Sequence, residues 1–268
     1  MNILGFSSNM YGWVERWKMD GKTPDWNELF RACAEAGLDA VEIDADPDKL
    51  QLARSFGLSV SASYVGLPLH VPFNQLETER TVLPFAERLA AANGRDLLLN
   101  ADPISWKTTV AKSEDHFKQQ GENLTRISEL VAPLGIKICL HNHAADHHNA
   151  LGDLRSVVQY ADQQVGLCVD TGWAHVSGCN PIEWIKNYPD RIDAFHFRNQ
   201  NGNVPTEDLL EGDIDFASVL NAAAAAHYEG WLALELWHPV QTRPVRTMTE
   251  DVLRSIDYLK SLLLSRTI

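Results

Sequence analysis

The sequence has no paired cysteines. Its four cysteines, at positions 33, 139, 168 and 179, nowhere show the Cys-x-x-Cys spacing of a zinc or redox site. Cys139 and Cys168 fall inside apolar segments, where a free thiol packs as a small hydrophobic group. Nothing in this pattern indicates a disulfide framework, so we expect the protein to work in a reducing compartment.

Long apolar runs are missing as well. No segment approaches the roughly 18 apolar residues that a membrane-spanning helix needs. The opening MNILGFSSNMYGW has no basic stretch followed by an apolar one, which is the pattern of a secretory leader. We therefore expect a cytoplasmic protein without a membrane partner.

Positive charge is scarce and scattered. The chain carries 23 Lys and Arg against 36 Asp and Glu, a formal net charge of −13. A surface that reads DNA or RNA needs a basic stripe to neutralise phosphates. We therefore expect no nucleic-acid partner; a neutral polyol, or an anion held by one or two local cations, fits better.

Short apolar segments of four or five residues recur eight times, and each is followed by a stretch with helical patterning. The predicted strands cover Ile3–Phe6, Ala40–Ile43, Val60–Tyr64, Leu97–Asn100, Ile136–Leu140, Val165–Val169, Ile192–Phe195 and Leu232–Leu236. The predicted helices cover Trp26–Ala36, Pro47–Phe56, Glu79–Ala92, Glu114–Ala132, Leu154–Ala161, Pro181–Asn187, Phe216–His227 and Met248–Leu264.

The residues between these segments support alternating helices and parallel strands. Glycines that suit a left-handed C′ position stand at 37, 57 and 135, and predicted N-caps are Asp25, Asp153 and Asp215. Eight such units predict a closed (β/α)₈ TIM barrel, formed as one domain by residues 1–268. An open doubly wound sheet is disfavoured because no glycine-rich phosphate loop follows the first strand.

Ionisable side chains stand at the ends of four consecutive predicted strands: His141, Asp170, His196 and Glu235. In barrels of this kind the chemistry lies at the carboxyl ends of the strands. One such residue alone is more often a cap or a loop contact, but four at equivalent positions indicate a site for one divalent ion. Imidazole with carboxylate favours Mn²⁺ or Zn²⁺ and also admits Co²⁺, Fe²⁺ or, less well, Mg²⁺. His143 lies on the same side of its strand as His141; we take His141 as the ligand and His143 as a group facing the substrate.

The motifs at these strand ends resemble those of the xylose-isomerase-like barrels, which include ketose 3-epimerases, hydroxypyruvate isomerase and inosose dehydratase. The resemblance covers nearly the whole chain and rests on His141-Asn142-His143, Asp170-Thr171-Gly172-Trp173-Ala174-His175, His196-Phe197-Arg198-Asn199 and Gly212-Asp213-Ile214-Asp215-Phe216. It implies a single Mn²⁺- or Zn²⁺-type ion, held by residues that match, position by position, His141, Asp170, His196 and Glu235.

This chain departs from its relatives at three places. Many epimerases have a glutamate where His141 stands, some relatives have a histidine in place of Trp173, and the usual Lys-Asp reads Arg198-Asn199. The first departure breaks the symmetrical pair of glutamates that a two-base epimerase uses.

The resemblance implies a metal-dependent isomerase or epimerase of a small sugar or sugar acid. A proton would leave the carbon next to a carbonyl, and the metal would stabilise the enediolate. Glu235 is the candidate base, with His143 and His238 as its candidate partners because histidine titrates near neutral pH. His238 could equally be a loop residue held by its neighbour Pro239.

Five further residues are predicted substrate contacts: Glu42, Trp173, Arg198, Trp237 and Lys107. Arg198 would clamp a carboxylate, or less readily a phosphate, with Lys107 as a less certain second cation. The tryptophans offer apolar faces to a sugar ring, or close the site by packing. Glu42 would meet a substrate hydroxyl unless it forms a salt bridge across the barrel mouth.

Three other functions stay open. A dehydratase or other lyase acting on a keto-inositol or sugar acid is favoured by the histidine at 141. A barrel that binds carbohydrate without catalysis is the second, disfavoured by Glu235 and His143. The related endonucleases would need a basic groove. Assembly into a homo-oligomer is also left open, and Asp146-His147-His148 is expected on the loop after the fifth strand.

Overall fold

A computed structural model describes residues 1–144 and 149–265, so Asp146-His147-His148 lies outside the described residues. Eight parallel strands form one sheet in the order β10-β1-β2-β3-β4-β5-β6-β7. These strands are β1 Asn2–Asn9, β2 Ala40–Glu42, β3 Ser59–Leu67, β4 Asp96–Ala101, β5 Lys137–His141, β6 Gly166–Asp170, β7 Ile192–His196 and β10 Glu229–Leu234.

The sheet closes between β7 and β10. The Phe197 amide donates to the Ala233 carbonyl at 2.7 Å, and the Glu235 amide donates to the Phe197 carbonyl at 3.0 Å. Phe197 and Leu234 thereby form a parallel bridge just beyond the end of β7. The predicted (β/α)₈ barrel is confirmed; that the whole chain from 1 to 268 is a single domain stays a prediction.

Helices cover the outside of the barrel. They are α1 Tyr11–Met19, α2 Trp26–Glu35, α3 Pro47–Ser55, α4 Thr78–Thr81, α5 Leu83–Ala91, α6 Glu114–Val131, α7 Ala150–Arg155, α8 Thr171–Val176, α9 Pro181–Asn187, α10 Phe216–Ala225 and α11 Met248–Leu264. A small antiparallel hairpin, β8 Gln200–Asn201 with β9 Val204–Pro205, lies in the loop after β7. Across both described ranges, no helix is long and apolar enough to cross a membrane.

The structure corrects some predicted boundaries. Helix α1 was not predicted, and the predicted helix 79–92 is broken at Val82 into α4 and α5. Asp25 and Asp215 are N-caps as expected, but Asp153 is not. Asn149 caps α7 instead, and Asp153 lies buried one turn inside it, where it accepts from Gln120 at 2.9 Å. The helix begins earlier because Asn149 caps as well as an aspartate does.

Small side chains fill the barrel below its carboxyl-end mouth: Ala62, Leu98, Cys139, Cys168 and Ala194. Burial raises the pKa of the Cys139 thiol well above its usual value and that of Cys168 to about 12. Both thiols therefore stay protonated and pack as hydrophobic groups, as the sequence indicated. Because side chains alternate along a strand, the residues two positions further on point inward at the mouth.

Gly12 in α1 allows the helix to lie directly against the end of β10. A Cβ at this position would come within 1.8 Å of the Leu236 carbonyl oxygen, which is backbone and cannot move aside alone. We expect Gly12→Ala to lower the free energy of unfolding by roughly 1–3 kcal/mol, as overpacking does in well-filled interiors.

Urea unfolding followed by far-UV circular dichroism measures this change. Lys18→Ala in the same helix is the control, because Lys18 is exposed and its ion pair is with the neighbouring surface residue Glu15, so it should change stability by no more than about 0.5 kcal/mol. Equal stability of Gly12→Ala and the wild type would contradict the close approach.

Candidate metal centre

The residues above the small-residue layer are polar. Asn100, His141, Asp170 and His196 each lie two positions beyond a residue of that layer, on β4 to β7. The strand register places Asn100 beside His141 and Asp170 beside His196. Glu235 follows β10, which completes the ring next to β7. Alternation and register together therefore bring these side chains to one level of the barrel.

His141, Asp170, His196 and Glu235 converge in space. One ligand atom from each lies within 4.8 Å of the other three. His141 Nε2 is 3.6 Å from Asp170 Oδ2 and 3.6 Å from Glu235 Oε2, and His196 Nδ1 is 3.0 Å from the same Glu235 oxygen. The first three residues are buried, and the Glu235 side chain is 13% exposed.

The four converging atoms share an unusual property. His141 Nε2, Asp170 Oδ2, His196 Nδ1 and Glu235 Oε2 are buried without a hydrogen-bond partner among the described residues. A buried polar atom without a partner costs about 1–3 kcal/mol, so four at one point call for a shared partner. Two imidazole nitrogens and two carboxylate oxygens are the donor set of a borderline divalent cation. The residues therefore fit a metal ion.

Hydrogen bonds on the far side of three ligands fix their orientation. His141 Nδ1 donates to Asn100 Oδ1 at 2.8 Å, and His196 Nε2 donates to Glu42 Oε2 at 2.7 Å. In the neutral imidazole, each bond holds the one proton on the outer nitrogen, so the inner nitrogen would have a lone pair for a cation. Asp170 Oδ1 accepts from Arg198 Nε at 3.0 Å and from the Trp173 amide, which leaves Oδ2 facing the centre.

Glu235 is held differently from the other three ligands. Its Oε2 faces the histidines, but its Oε1 receives no hydrogen bond from any residue in the described ranges. The side chain also lines the cavity above the site. One oxygen therefore belongs to the ligand cluster, and the other is available to a molecule in the cavity.

Mutual charge shifts the titration of the cluster. Burial opposes protonation of His141, but Asp170 and Glu235 outweigh it and raise its pKa above the usual value. Burial also opposes protonation of His196, but Cys168, Glu42 and Glu235 raise its pKa well above the usual value. Burial disfavours the ionised form of Glu235, yet the two imidazoles bring its pKa well below the usual value. Without a cation, protons would hold the cluster together.

A cavity of about 380 Å³ opens above the four ligands. Its described lining is polar at the floor and aromatic toward the mouth: Asn9, Tyr11, Glu42, Tyr64, Leu98, Asn100, His141, His143, Trp173, His196, Arg198, Glu235 and Trp237. Eight of the eleven site residues that the sequence predicted line this cavity, and Asp170 belongs to the ligand cluster beneath it. The volume is at the small end of the range for small-molecule sites.

Two predicted residues lie elsewhere. His238 is 4% exposed and does not line the cavity; its Nδ1 accepts from Arg16 at 3.0 Å and its Nε2 donates to the Glu207 carbonyl at 2.8 Å. The structure agrees better with the alternative prediction, a histidine fixed within its loop. The residues that fix it by hydrogen bonds are Arg16 and Glu207, and not Pro239. Lys107 is exposed on the loop after β4 and does not line the cavity either. These placements give no support to a role for either residue at the substrate.

Both carboxylate oxygens of Glu42 are bonded to other side chains of the protein. It is 1% exposed, its Oε1 accepts from Asn9 Nδ2 at 2.6 Å, and its Oε2 accepts from His196. The ion pair across the mouth, which was the alternative for Glu42, is present, and the predicted substrate contact stays a prediction because Glu42 also lines the cavity. Its partner there is a metal-ligand candidate.

The two predicted tryptophans, Trp173 and Trp237, lie in a row of tilted rings with His143, and we call this row the aromatic wall. The ring of Trp173 is 4.4 Å from that of His143 and 6.3 Å from that of Trp237, and the Arg198 guanidinium lies 4.2 Å from the Trp173 ring. Trp13, in contrast, is 1% exposed and donates to Ser8, so it packs inside the fold. Sequence reasoning missed Asn9 and Asn100, although both end strands, because it looked only for ionisable residues.

A family model of xylose isomerase-like TIM barrels matches residues 30–262. The chain belongs to this family. An inosose dehydratase from Clostridium botulinum is 26% identical over 187 residues, which cover 59% of this chain. The match spans 63% of the length of that relative.

Solved structures of similar fold include a D-psicose 3-epimerase from Clostridium cellulolyticum, with a TM-score of 0.75 and 14% identity over 97% of this chain and 99% of the other. Another is the IOLI protein with a bound zinc atom, with a TM-score of 0.70 and 16% identity over 99% of both chains. At these identities the likeness shows the fold.

Removing the carboxylate of Glu42 should weaken metal binding without removing a ligand. We expect the purified protein to hold about one Mn²⁺ or Zn²⁺ per chain, and Glu42→Gln to weaken that affinity by about 10–100-fold, as loss of an orienting partner does. Competition with a fluorescent chelator measures the affinity.

Asp44→Asn is the matched control, since Asp44 also follows β2 but pairs with Lys49 and does not line the cavity. It should bind metal as the wild type does. Wild-type affinity in Glu42→Gln would contradict the orienting role.

Metal affinity should fall in acid. Since the pKa values of His141 and His196 are raised in protein stripped of metal, an incoming ion must displace their protons. Affinity should therefore rise with pH through the raised pKa values, by up to about tenfold per pH unit for each proton displaced, and then level off. Calorimetry in buffers of different protonation enthalpy counts the protons released. No release at neutral pH would contradict the raised pKa values.

Proposed function

We propose that this protein is a divalent-metal-dependent isomerase or epimerase of a small sugar. The observation that carries the proposal is the convergence of four buried, unbonded ligand atoms beneath a cavity. Membership of a family with sugar isomerases and epimerases supports the substrate class. An ion at the four ligands would supply positive charge that polarises the substrate carbonyl and stabilises the anion left when a proton departs.

Glu235 is the group we assign to the proton. Its pKa lies well below the usual value because of the two imidazoles, so the carboxylate is ionised across the neutral range, which is the form that a base must have. Oε1 would take the proton from the carbon next to the carbonyl, and the electron pair of that C–H bond would move toward the carbonyl oxygen. Return of the same proton to the former carbonyl carbon, while the proton of the neighbouring hydroxyl moves to the former carbonyl oxygen, exchanges ketone and aldehyde, which is isomerisation.

Epimerisation needs a second proton-transfer group on the other face of the substrate. His143 is the candidate, because it lines the cavity and its ring lies against Trp173. The ring centroids of His141 and His143 are 6.0 Å apart, so His143 is close to the ligand cluster without belonging to it. The aromatic wall would keep water away from the reacting carbon during the transfer.

Dehydration is the second candidate function, and one observation favours it. Where a two-base epimerase has two glutamates, this cluster has Glu235 and His141, and the outer nitrogen of His141 is already bonded to Asn100. One carboxylate can remove a proton from the carbon next to the carbonyl and pass it to a hydroxyl group on the following carbon, on the same face of the substrate. That hydroxyl group then leaves as water, and the electron pair of the broken C–H bond forms the new double bond. The relative from Clostridium botulinum carries the name inosose dehydratase.

The test of Glu235 is Glu235→Gln, which keeps the shape of the side chain and removes its basicity. We expect hydrogen–deuterium exchange next to the carbonyl of a keto sugar in D₂O to fall by at least about a thousandfold, the upper part of the range for a general base. Proton NMR follows the exchange, and circular dichroism checks the fold.

Glu229→Gln is the control, because Glu229 lies at the opposite end of the same strand, β10, and is exposed. It should exchange at the wild-type rate. Full exchange by Glu235→Gln would remove Glu235 from the mechanism. In the same spectra, a rearranged sugar supports the isomerase or epimerase and an unsaturated product supports the dehydratase.

A further inference from the structure

The charges around the cavity restrict which carbonyl compounds it can hold. Building on the proposed function, we infer that the substrate is an uncharged polyhydroxylated ketone or aldehyde that carries neither a phosphate nor a carboxylate. Three independent features of the described residues lead to this conclusion: the charge balance of the site, the engagement of its one guanidinium, and the acidic surroundings of the usual phosphate position.

The charges of the site cancel. Asp170 and Glu235 in the ligand cluster would balance a bound divalent cation, and the charge of Glu42 offsets that of Arg198 at the edge of the cavity. Arg198 is the only Lys or Arg among the described lining residues. The undescribed segment 145–148 contains neither residue type in its sequence. No excess positive charge is left for a substrate anion, and the net charge of −13 disfavours its approach.

Arg198 is engaged by the protein itself. Its Nε donates to Asp170, its guanidinium lies against Trp173, and the side chain is 2% exposed. The absence of a side chain at Gly172 permits this position, since a Cβ there would come within 2.7 Å of Arg198 Nε. Nη2 is buried without a hydrogen-bond partner among the described residues, and an anion of the size of a carboxylate or phosphate does not reach it in this arrangement of the side chain. The predicted clamp on a carboxylate is thus turned toward a ligand of the metal site.

The place where barrels commonly bind phosphate is acidic here. That place lies at the loops after the seventh and eighth barrel strands, beside a helix N-terminus. The N-termini of α10 and α11 are already capped, by Asp215 and by the Thr247–Glu250 capping box. The loop after β7 adds four acidic residues: Glu207, Asp208, Glu211 and Asp213. Arg246 and Arg254 both pair with Asp208, and Arg243 on the loop after β10 is exposed and outside the described cavity lining.

Neutral groups make up the rest of the mouth. Tyr11 and Tyr64 are 49% and 37% exposed and line the cavity with their phenol rings. Trp173 and Trp237 add two indole faces. Phenol hydroxyls exchange hydrogen bonds with sugar hydroxyls, and indole faces pack against the C–H groups of a ring. These are the contacts of an uncharged polyol.

The experiment compares matched substrates with the ion-loaded protein. Deuterium exchange in D₂O is measured by NMR for ketoses and inososes, each beside its phosphate ester and its carboxylate of the same stereochemistry. We expect kcat/KM for exchange to be at least about tenfold higher for the uncharged member, the factor expected when an anion a few ångströms from the carboxylates has no counter-charge.

The outcomes separate the two proposals. Equal or faster exchange of a phosphate or carboxylate overturns this inference and leaves the proposed function standing. Absence of exchange with every compound, although the protein holds its metal, overturns both.

A gain-of-function variant tests the cause. Tyr64→Lys places a cation at the mouth and should raise kcat/KM for the anionic members by roughly three- to tenfold relative to the uncharged ones. Val245→Lys adds the same charge at a residue that is 83% exposed and outside the cavity lining, and should leave that ratio unchanged. A ratio unmoved by Tyr64→Lys contradicts charge as the cause of the discrimination.

Discussion

The arrangement of the site depends on one constraint: the parallel register of β4 to β7 and the bridge that joins β7 to β10. Register places Asn100 beside His141 and Asp170 beside His196, and the Phe197–Leu234 bridge brings Glu235 next to them. A shift of one residue in any strand would turn its inward side chain outward. The buried polar atoms then would no longer share a centre, and each would carry its desolvation cost alone.

The bonds behind the ligands divide the cluster into a fixed part and a free part. His141, Asp170 and His196 each have an outer partner that orients them, whereas Glu235 has one oxygen in the cluster and one toward the cavity. A ligand set needs rigid geometry, and a proton carrier needs an oxygen that can change partner. Under the proposed function, the three oriented residues would meet the first need, and Glu235, a ligand through Oε2 only, would meet the second with Oε1.

The sequence was sufficient to predict the barrel and the ligand cluster because both follow from short-range rules. Strand periodicity and the helix-to-strand glycines locate the strand ends, and parallel closure gathers those ends at one mouth. The positions of residues beyond the strand ends were harder to predict. His238 lies only three residues after Glu235, yet the loop turns it toward Arg16 and away from the cavity. A loop path depends on contacts with distant segments, which a strand pattern does not encode.

For four residues at the mouth of the barrel, the role depends on neighbouring side chains that the strand pattern does not reveal. Glu42 and Arg198 both line the cavity, but the sequence could not show that each is already bonded to a side chain at the end of another strand. Glu42 reaches His196 across about 150 residues of chain, and Arg198 reaches Asp170 across 28. Asn9 and Asn100 were overlooked because neutral amides signal no chemistry alone, and only register shows what they hold.

The histidine at 141 has an electrostatic consequence beyond the loss of a second base. With two neutral imidazoles and two carboxylates, the ligand set matches the charge of a divalent ion, whereas a glutamate at 141 would leave one negative charge in excess. The carboxylate and guanidinium behind the ligands, Glu42 and Arg198, also cancel each other. If the proposed function holds, a centre balanced in this way would keep the polarising power of its cation for the substrate carbonyl. The same balance would leave no positive charge to attract a charged group elsewhere on the substrate, so one donor set would determine both the metal chemistry and the charge of the substrate.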